Sequence, residues 1–200
     1  MTKYNISIEQ DPDPQNPRTE WDNLGTMVCF HKRYDLGDEH DYKEDDYYGW
    51  DELEEAITKE EDPAVILPIY MLDHSGITVS TQPFSCPWDS GQVGFIFISK
   101  EKVLKEYSLG GDTIPDETLE TVEKCLRGEV ETYDQYLTGD VWGYIIEDED
   151  GEHVDSCWGF YGREYCEKEA QDIRDGMIKQ EKEAAIKLKR VQASIPCCRP

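Results

Sequence analysis

Forty-five acidic side chains against 20 basic ones give this 200-residue chain a net charge of −25, so any compact state must hold against its own repulsion. What opposes that repulsion is a hydrophobic content of 38%, with 5 Trp, 12 Tyr and 5 Phe. Acidic chains that stay disordered are poor in aromatics, so this one is expected to fold. The length suits one domain with a sizeable core, read here as a single compact unit over residues 1–195 with a flexible tail over 196–200. The same charge repels nucleic acid and anionic membranes. It attracts basic surfaces, including those with which proteins hold DNA or RNA.

The longest apolar stretches, near Val65–Leu72 and Gly94–Ile98, fall far short of the roughly 18 residues a membrane span needs. The opening residues Met1–Asn5 hold no apolar segment of the signal-peptide kind, and a cytoplasmic location is expected. Seven cysteines at irregular spacing (Cys29, Cys86, Cys125, Cys157, Cys166, Cys197, Cys198) read as reduced thiols, mostly filling the core, with the last pair in the tail.

Periodicity predicts an α+β fold with a mainly antiparallel sheet. Lys3–Ile8 alternates as a first strand, and the three prolines Pro12, Pro14 and Pro17 then interrupt regular structure. Thr26–Tyr34 reads as a strand covered on both faces. Asp51–Lys59 reads as a short amphipathic helix on Leu53, Ala56 and Ile57. Ala64–Leu72 and Ile77–Thr81 flank a hairpin turn at Asp73–Gly76, Val93–Ser99 is a central strand, and Lys100–Tyr107 is a helix capped by Ser99. A helix over Asp116–Leu126 is opened by Pro115 and closed by Gly128. Glu129–Leu137, Val141–Glu147 and Glu152–Tyr161 then form a C-terminal meander, and a long helix from Arg163 to about Val191 packs on it.

Two segments hold almost the whole net charge. Asp35–Asp62 has 14 acidic and 2 basic residues, and Asp112–Asp155 has 15 and 2. Gln171–Pro200 is mildly basic, with 7 basic and 4 acidic residues. Within the acidic segments carboxylates alternate with aromatics, in Asp45-Asp46-Tyr47-Tyr48-Gly49-Trp50 and in Glu131-Thr132-Tyr133-Asp134-Gln135-Tyr136. Aromatics are the usual anchors of protein interfaces, and Glu129 and Glu131 would share one face of a strand. The plain reading is a solvated face that keeps the protein soluble. The sharper one is a row of carboxylates imitating phosphates, since duplex DNA carries a charge about every 1.7 Å of axis.

Signatures of catalysis are missing. No phosphate loop, dinucleotide fingerprint, nucleophile elbow or zinc-protease pattern occurs, so an enzyme is not expected and no cofactor is called for. The run Glu147–Glu152 fails the EF-hand spacing, with Ile146 and Cys157 at ligand positions, and reads as a tight acidic turn. Cys29 with His31, or Cys157 with His153, supplies half a zinc site at most, so no metal is expected. Cys86, with His74 or His31 as base, is the one nucleophile candidate.

Trp21–Met27 with the following Cys29-Phe30-His31, and Tyr133–Gly143, resemble stretches in small acidic proteins of phages and other mobile elements. That resemblance implies a context in which acidic proteins without catalytic motifs act as DNA-mimic inhibitors of host defence, of the antirestriction or anti-CRISPR class. No motif of the established antirestriction families is present. The favoured expectation is an acidic inhibitor, binding a basic nucleic-acid-binding protein or nuclease complex rather than nucleic acid or membrane. Asp38, Glu39, Asp41, Glu44, Asp45, Asp46, Glu129, Glu131 and Asp134 would stand for phosphates, with Tyr47, Tyr48, Trp50 and Tyr136 as anchors. The alternative is a small enzyme or ligand-binding module with an aromatic, polar pocket around Trp21, Asp22, Asn23, His31 and Trp88. Oligomeric state is left open.

Overall fold

A computed structural model describes residues 3–194, so the Cys197-Cys198 pair and the 196–200 tail lie outside the described residues. The fold is α+β, with two antiparallel sheets and a long C-terminal helix. Contacts among the described residues gather in two compact units, one within 15–139 and one of residues up to 14 with those from 140 on. No linker marks the division, because the second of these is assembled from both ends of the chain.

In that two-ended unit, β1 (Asn5–Gln10), β6 (Val141–Glu147) and β7 (His153–Tyr161) form a sheet in the order β1-β6-β7. Register places Ile6 opposite Ile146 and Ile8 opposite Tyr144, so the apolar side chains of both strands fall on one face. Helix α5 (Arg163–Ser194) covers that face, burying Cys166 and Ala170 against Tyr144 and Ile146. Tyr4 donates a 2.6 Å hydrogen bond to Glu181 farther along the helix. The expected meander is corrected in one member. The hairpin around Gly151 is present, but the third strand is β1, and Glu129–Leu137 is not a strand.

Glu129–Leu137 is instead the second half of α4 (Asp116–Thr138) in the other unit. Val122, Leu126, Val130 and Tyr133 are buried at spacings of four, four and three, the stripe of a single continuous helix. Gly128 stands mid-helix where a Cβ would meet nothing, a cost of about 1 kcal/mol that this stripe outweighs. The helix stops at Gly139, whose left-handed backbone (φ 73°) lets its N–H bond back to the carbonyls of Gln135 and Tyr136.

The sheet of this unit runs β2-β5-β3-β4, with β2 Thr26–Cys29, β3 Pro63–Asp73, β4 Ile77–Ser80 and β5 Ser90–Ser99. β5 is buried on both faces. Phe95 and Phe97 point to one side, where Leu53 and Ile57 of α2 (Trp50–Glu61) cover them together with Val28. Ile96 and Ile98 point to the other, against Val122, Leu126 and Val130 of α4. Helix α3 (Lys100–Glu106) follows, its first turn capped by the Ser99 hydroxyl accepting from the Lys102 N–H, as expected.

The cysteines depart from the expectation of core filling. Cys29 and Cys166 are buried, whereas Cys86 is half-buried and Cys125 and Cys157 are exposed, all five free. Burial disfavours the thiolate and pushes Cys29 up to about 12 and Cys166 up to about 11. Alkylation of the native protein with iodoacetamide at pH 8 should therefore modify Cys125 and Cys157, while Cys29 and Cys166 react only after denaturation. Mass spectrometry of the digested protein reads the outcome, and equal native reactivity at all four would show that the two cores are open.

Candidate functional site

The acidic segment 35–62 is fixed to the fold at its start by a buried cation. Asn16 caps the short helix α1 (Pro17–Glu20), accepting from the Arg18 N–H at 2.9 Å, and turns the Arg18 side chain inward until it is 1% exposed. Its guanidinium donates to both oxygens of Asp38, at 2.8 and 2.5 Å, to Glu129 of α4 at 2.9 Å and to the Gly25 carbonyl at 2.9 Å. The two carboxylates are used further. Glu129 accepts from the Leu24 and Gly25 N–H groups and Asp38 from the Met27 N–H. Burial by itself would lower the pKa of the guanidinium. The hydrogen bonds and charge of Asp38, then those of Glu129, outweigh that and leave it raised.

Gly37 makes the approach to β2 possible. Its backbone is left-handed (φ 78°), and a Cβ there would stand 2.6 Å from the Met27 carbonyl oxygen. The Tyr133 hydroxyl, on α4, accepts from the Gly37 N–H at 3.2 Å, and Leu36 is buried beside it in the core.

Beyond Asp38 the segment crosses to the α2 side of the sheet. His40 stands edge-on to Phe30 with ring centres 5.2 Å apart, one ring nitrogen 3.2 Å from the Cys29 carbonyl. Its other ring nitrogen and the Tyr42 hydroxyl are enclosed without a hydrogen bond of normal geometry. Burial, then the nearby Glu61 and Glu60 carboxylates, push Tyr42 well above the ordinary tyrosine range. Trp50 opens α2. It stacks on Phe30 at 6.5 Å and meets Phe95 edge-on at 6.3 Å. Glu52, in the first turn, reaches back to accept from the Tyr48 N–H at 2.9 Å.

The thirteen expected interface residues are thereby divided. Glu39, Asp41, Glu44, Asp45, Asp46 and Tyr48 are exposed on the α2 side, with Tyr47 and Trp50 half-buried among them. Asp38, Glu129 and Asp134 accept hydrogen bonds from within the protein, both oxygens of Asp38 and Glu129 and one oxygen of Asp134. Asp134 accepts from the Thr78 hydroxyl at 2.5 Å and from the Val79 N–H at 2.7 Å, fastening α4 to β4. Tyr136 stacks on Tyr133 and packs at the core, while Glu131 is exposed on α4. Since α2 and α4 cover opposite faces of one sheet, the carboxylates of these two helices do not form a single array. The alternation that paired Glu129 with Glu131 belonged to a strand, and in a helix adjacent-but-one residues diverge.

The residues of the alternative pocket have local partners. Trp21 bonds Gln15 through its indole N–H, Asn23 donates to the carbonyls of Pro17 and Trp21, and His31 stacks on Tyr34 at 5.0 Å. Trp88 is 91% exposed. Near Cys86, Asp89 Oδ2 lies 3.8 Å from the thiol sulfur and 3.2 Å from His74 Nδ1, so the nearest polar partner of the thiol is a carboxylate rather than an imidazole. Among the described residues no three His, Cys, Asp or Glu side chains converge as a metal site, and no helix is long and apolar enough to cross a membrane. Comparison with protein-family models, with curated proteins and with solved structures gave no match.

Arg18 is the residue anchoring this region that sequence reasoning missed, since one arginine beyond a proline-rich stretch carries no signal of burial. Replacing it with Met should cost about 2–4 kcal/mol, because two part-buried carboxylates lose their counter-ion and keep only their backbone N–H donors. Urea unfolding reads this loss, with Glu131→Gln as the control that leaves the midpoint unchanged. A midpoint shift no larger than that of the control would show that Asp38 and Glu129 do not depend on Arg18.

Proposed function

We propose that this chain is an acidic protein-binding inhibitor that occupies the nucleic-acid groove of a host-defence or DNA-processing complex, offering carboxylates where that groove takes phosphates. The observation that carries the reading is the α2 side of the four-stranded sheet. There Glu39, Asp41, Glu44, Asp45 and Asp46 lead into a helix with six further carboxylates, all exposed, against Lys43 and Lys59 alone. At 1.5 Å per residue the twelve residues of α2 span about 18 Å, roughly one carboxylate per 3 Å, near the 3.4 Å per charge of one DNA strand. A charged tail would have to be ordered on binding. Here Leu53 and Ile57 already hold the helix on Phe95 and Phe97, so that cost is met on folding. The exposed Tyr48 and half-buried Trp50 supply aromatic contact area beside the charges.

The test is a comparison of charge reversals. Each exposed pair is worth about 0.2–1 kcal/mol, so the triple change Asp41→Lys, Asp45→Lys and Asp46→Lys should weaken partner binding roughly 3- to 100-fold at low salt. The effect should shrink as salt is added, and DNA should compete with the protein for the partner. Reversal of Glu164, Glu169 and Glu183 on α5 should change little. Equal and salt-insensitive losses in the two sets, or simultaneous binding of DNA and protein, would reduce the acidity to a solubility feature.

A further inference from the structure

Where the chain enters α2, a cavity of about 290 Å³ opens between Phe30, Tyr47, Tyr48, Trp50 and Leu53, with Glu44 among its walls. Leu53 is buried and forms the base, Phe30 and Trp50 are half-buried, and Tyr48 and Glu44 are exposed to what approaches. The volume falls at the bottom of the roughly 300–1,000 Å³ range of small-molecule sites, which suits one side chain better than a cofactor.

The charge of the occupant follows from opposing effects. A helix N-terminus carries about half a positive charge, which favours anions. Against it stand the full charges of Glu44, Asp51 and Glu52, all exposed within that first turn or the segment before it. The field at the mouth is therefore negative, and the walls are π faces, which attract cations, Trp most strongly. A guanidinium meets both requirements: it lies flat on an aromatic ring and presents paired N–H donors to a carboxylate, whereas an ammonium is a hydrated point charge. We infer that this cavity is a receptor for an arginine side chain of the partner, held by Trp50 and Tyr48 and paired with Glu44. The assignment rests on the reading of the α2 side as a protein-binding face. It adds to that reading one position at which a cationic groove is read by shape as well as by charge.

The pocket can be tested without the partner. N-acetyl-arginine amide titrated into the full chain should shift the Trp50 indole and Tyr48 amide resonances saturably in the millimolar range. Its neutral isostere N-acetyl-citrulline amide should bind at least tenfold more weakly, and N-acetyl-lysine amide should fall between them. Tyr48→Ala, at a fully exposed position, and Glu44→Gln should each weaken the arginine probe severalfold with no change in melting temperature. Equal binding of citrulline, no shift up to 50 mM probe, or shifts of the same resonances by inorganic phosphate instead would overturn the assignment. If the arginine probe binds but DNA fails to compete for the partner, the pocket stands and phosphate mimicry falls. If DNA competes while the probe does not bind, the reverse holds.

Discussion

The buried guanidinium of Arg18 is the contact on which the acidic side of the larger unit depends. It joins α1, the backbone at Gly25 and the turn at Asp38 to the middle of α4, more than a hundred residues on. A buried ion pair stabilises only when its remaining hydrogen-bonding groups are also satisfied, and here the carboxylates accept backbone N–H groups from Leu24, Gly25 and Met27 in addition. Because Asp38 is held, the chain leaves β2 and returns to it in one defined way, bridging Val28 to Gly37. The next residues, with His40 edge-on to Phe30, continue from that return toward α2.

The second constraint is that β5 has no free face. Its residues alternate between two cores, Phe95 and Phe97 beneath α2 and Ile96 and Ile98 beneath α4, so each helix is placed by residues of the same strand. The consequence for charge is direct. A helix packed by one stripe shows the rest of its surface to solvent, and in α2 that surface is almost wholly carboxylate. The carboxylates of α2 and those of α4 are kept apart by the thickness of the sheet between them, which relieves some of the repulsion they would otherwise bring to one side.

Much of the framework was legible in the sequence. The amphipathic stripe of α2, the turn at Asp73–Gly76, the central strand β5, the Ser99 cap and the long helix from Arg163 all follow from periodicity and turn chemistry. The misreading was at Gly128. A glycine after Leu126 resembles a helix stop, and the β-branched and aromatic residues that follow favour strands. Yet the spacing of Val122, Leu126, Val130 and Tyr133 is helical throughout, and tertiary burial of that stripe decides the matter. The site was legible as a segment and not as a surface. Composition located the carboxylates of 38–46 but could not separate Asp38, which is bonded inward, from Asp41, which is exposed, because that difference is made by Arg18, twenty residues from Asp38.

That separation bears on how charge and stability coexist here. Asp38, Glu129 and Asp134 each accept two or more hydrogen bonds and so contribute to the fold, and Asp38 and Glu129 use both oxygens in doing so. The exposed carboxylates of α2 contribute little stability of their own, and Asp51 with Glu54 and Glu55, and Glu52 with Glu55, repel one another at i+3 and i+4. Such a helix would be marginal in isolation. It is retained because Leu53 and Ile57 are fully buried. Apolar packing thus offsets a repulsion that a bound cation would relieve. A surface built this way gains more from a basic partner than one whose carboxylates are already paired, since binding removes an unfavourable term as well as adding favourable ones.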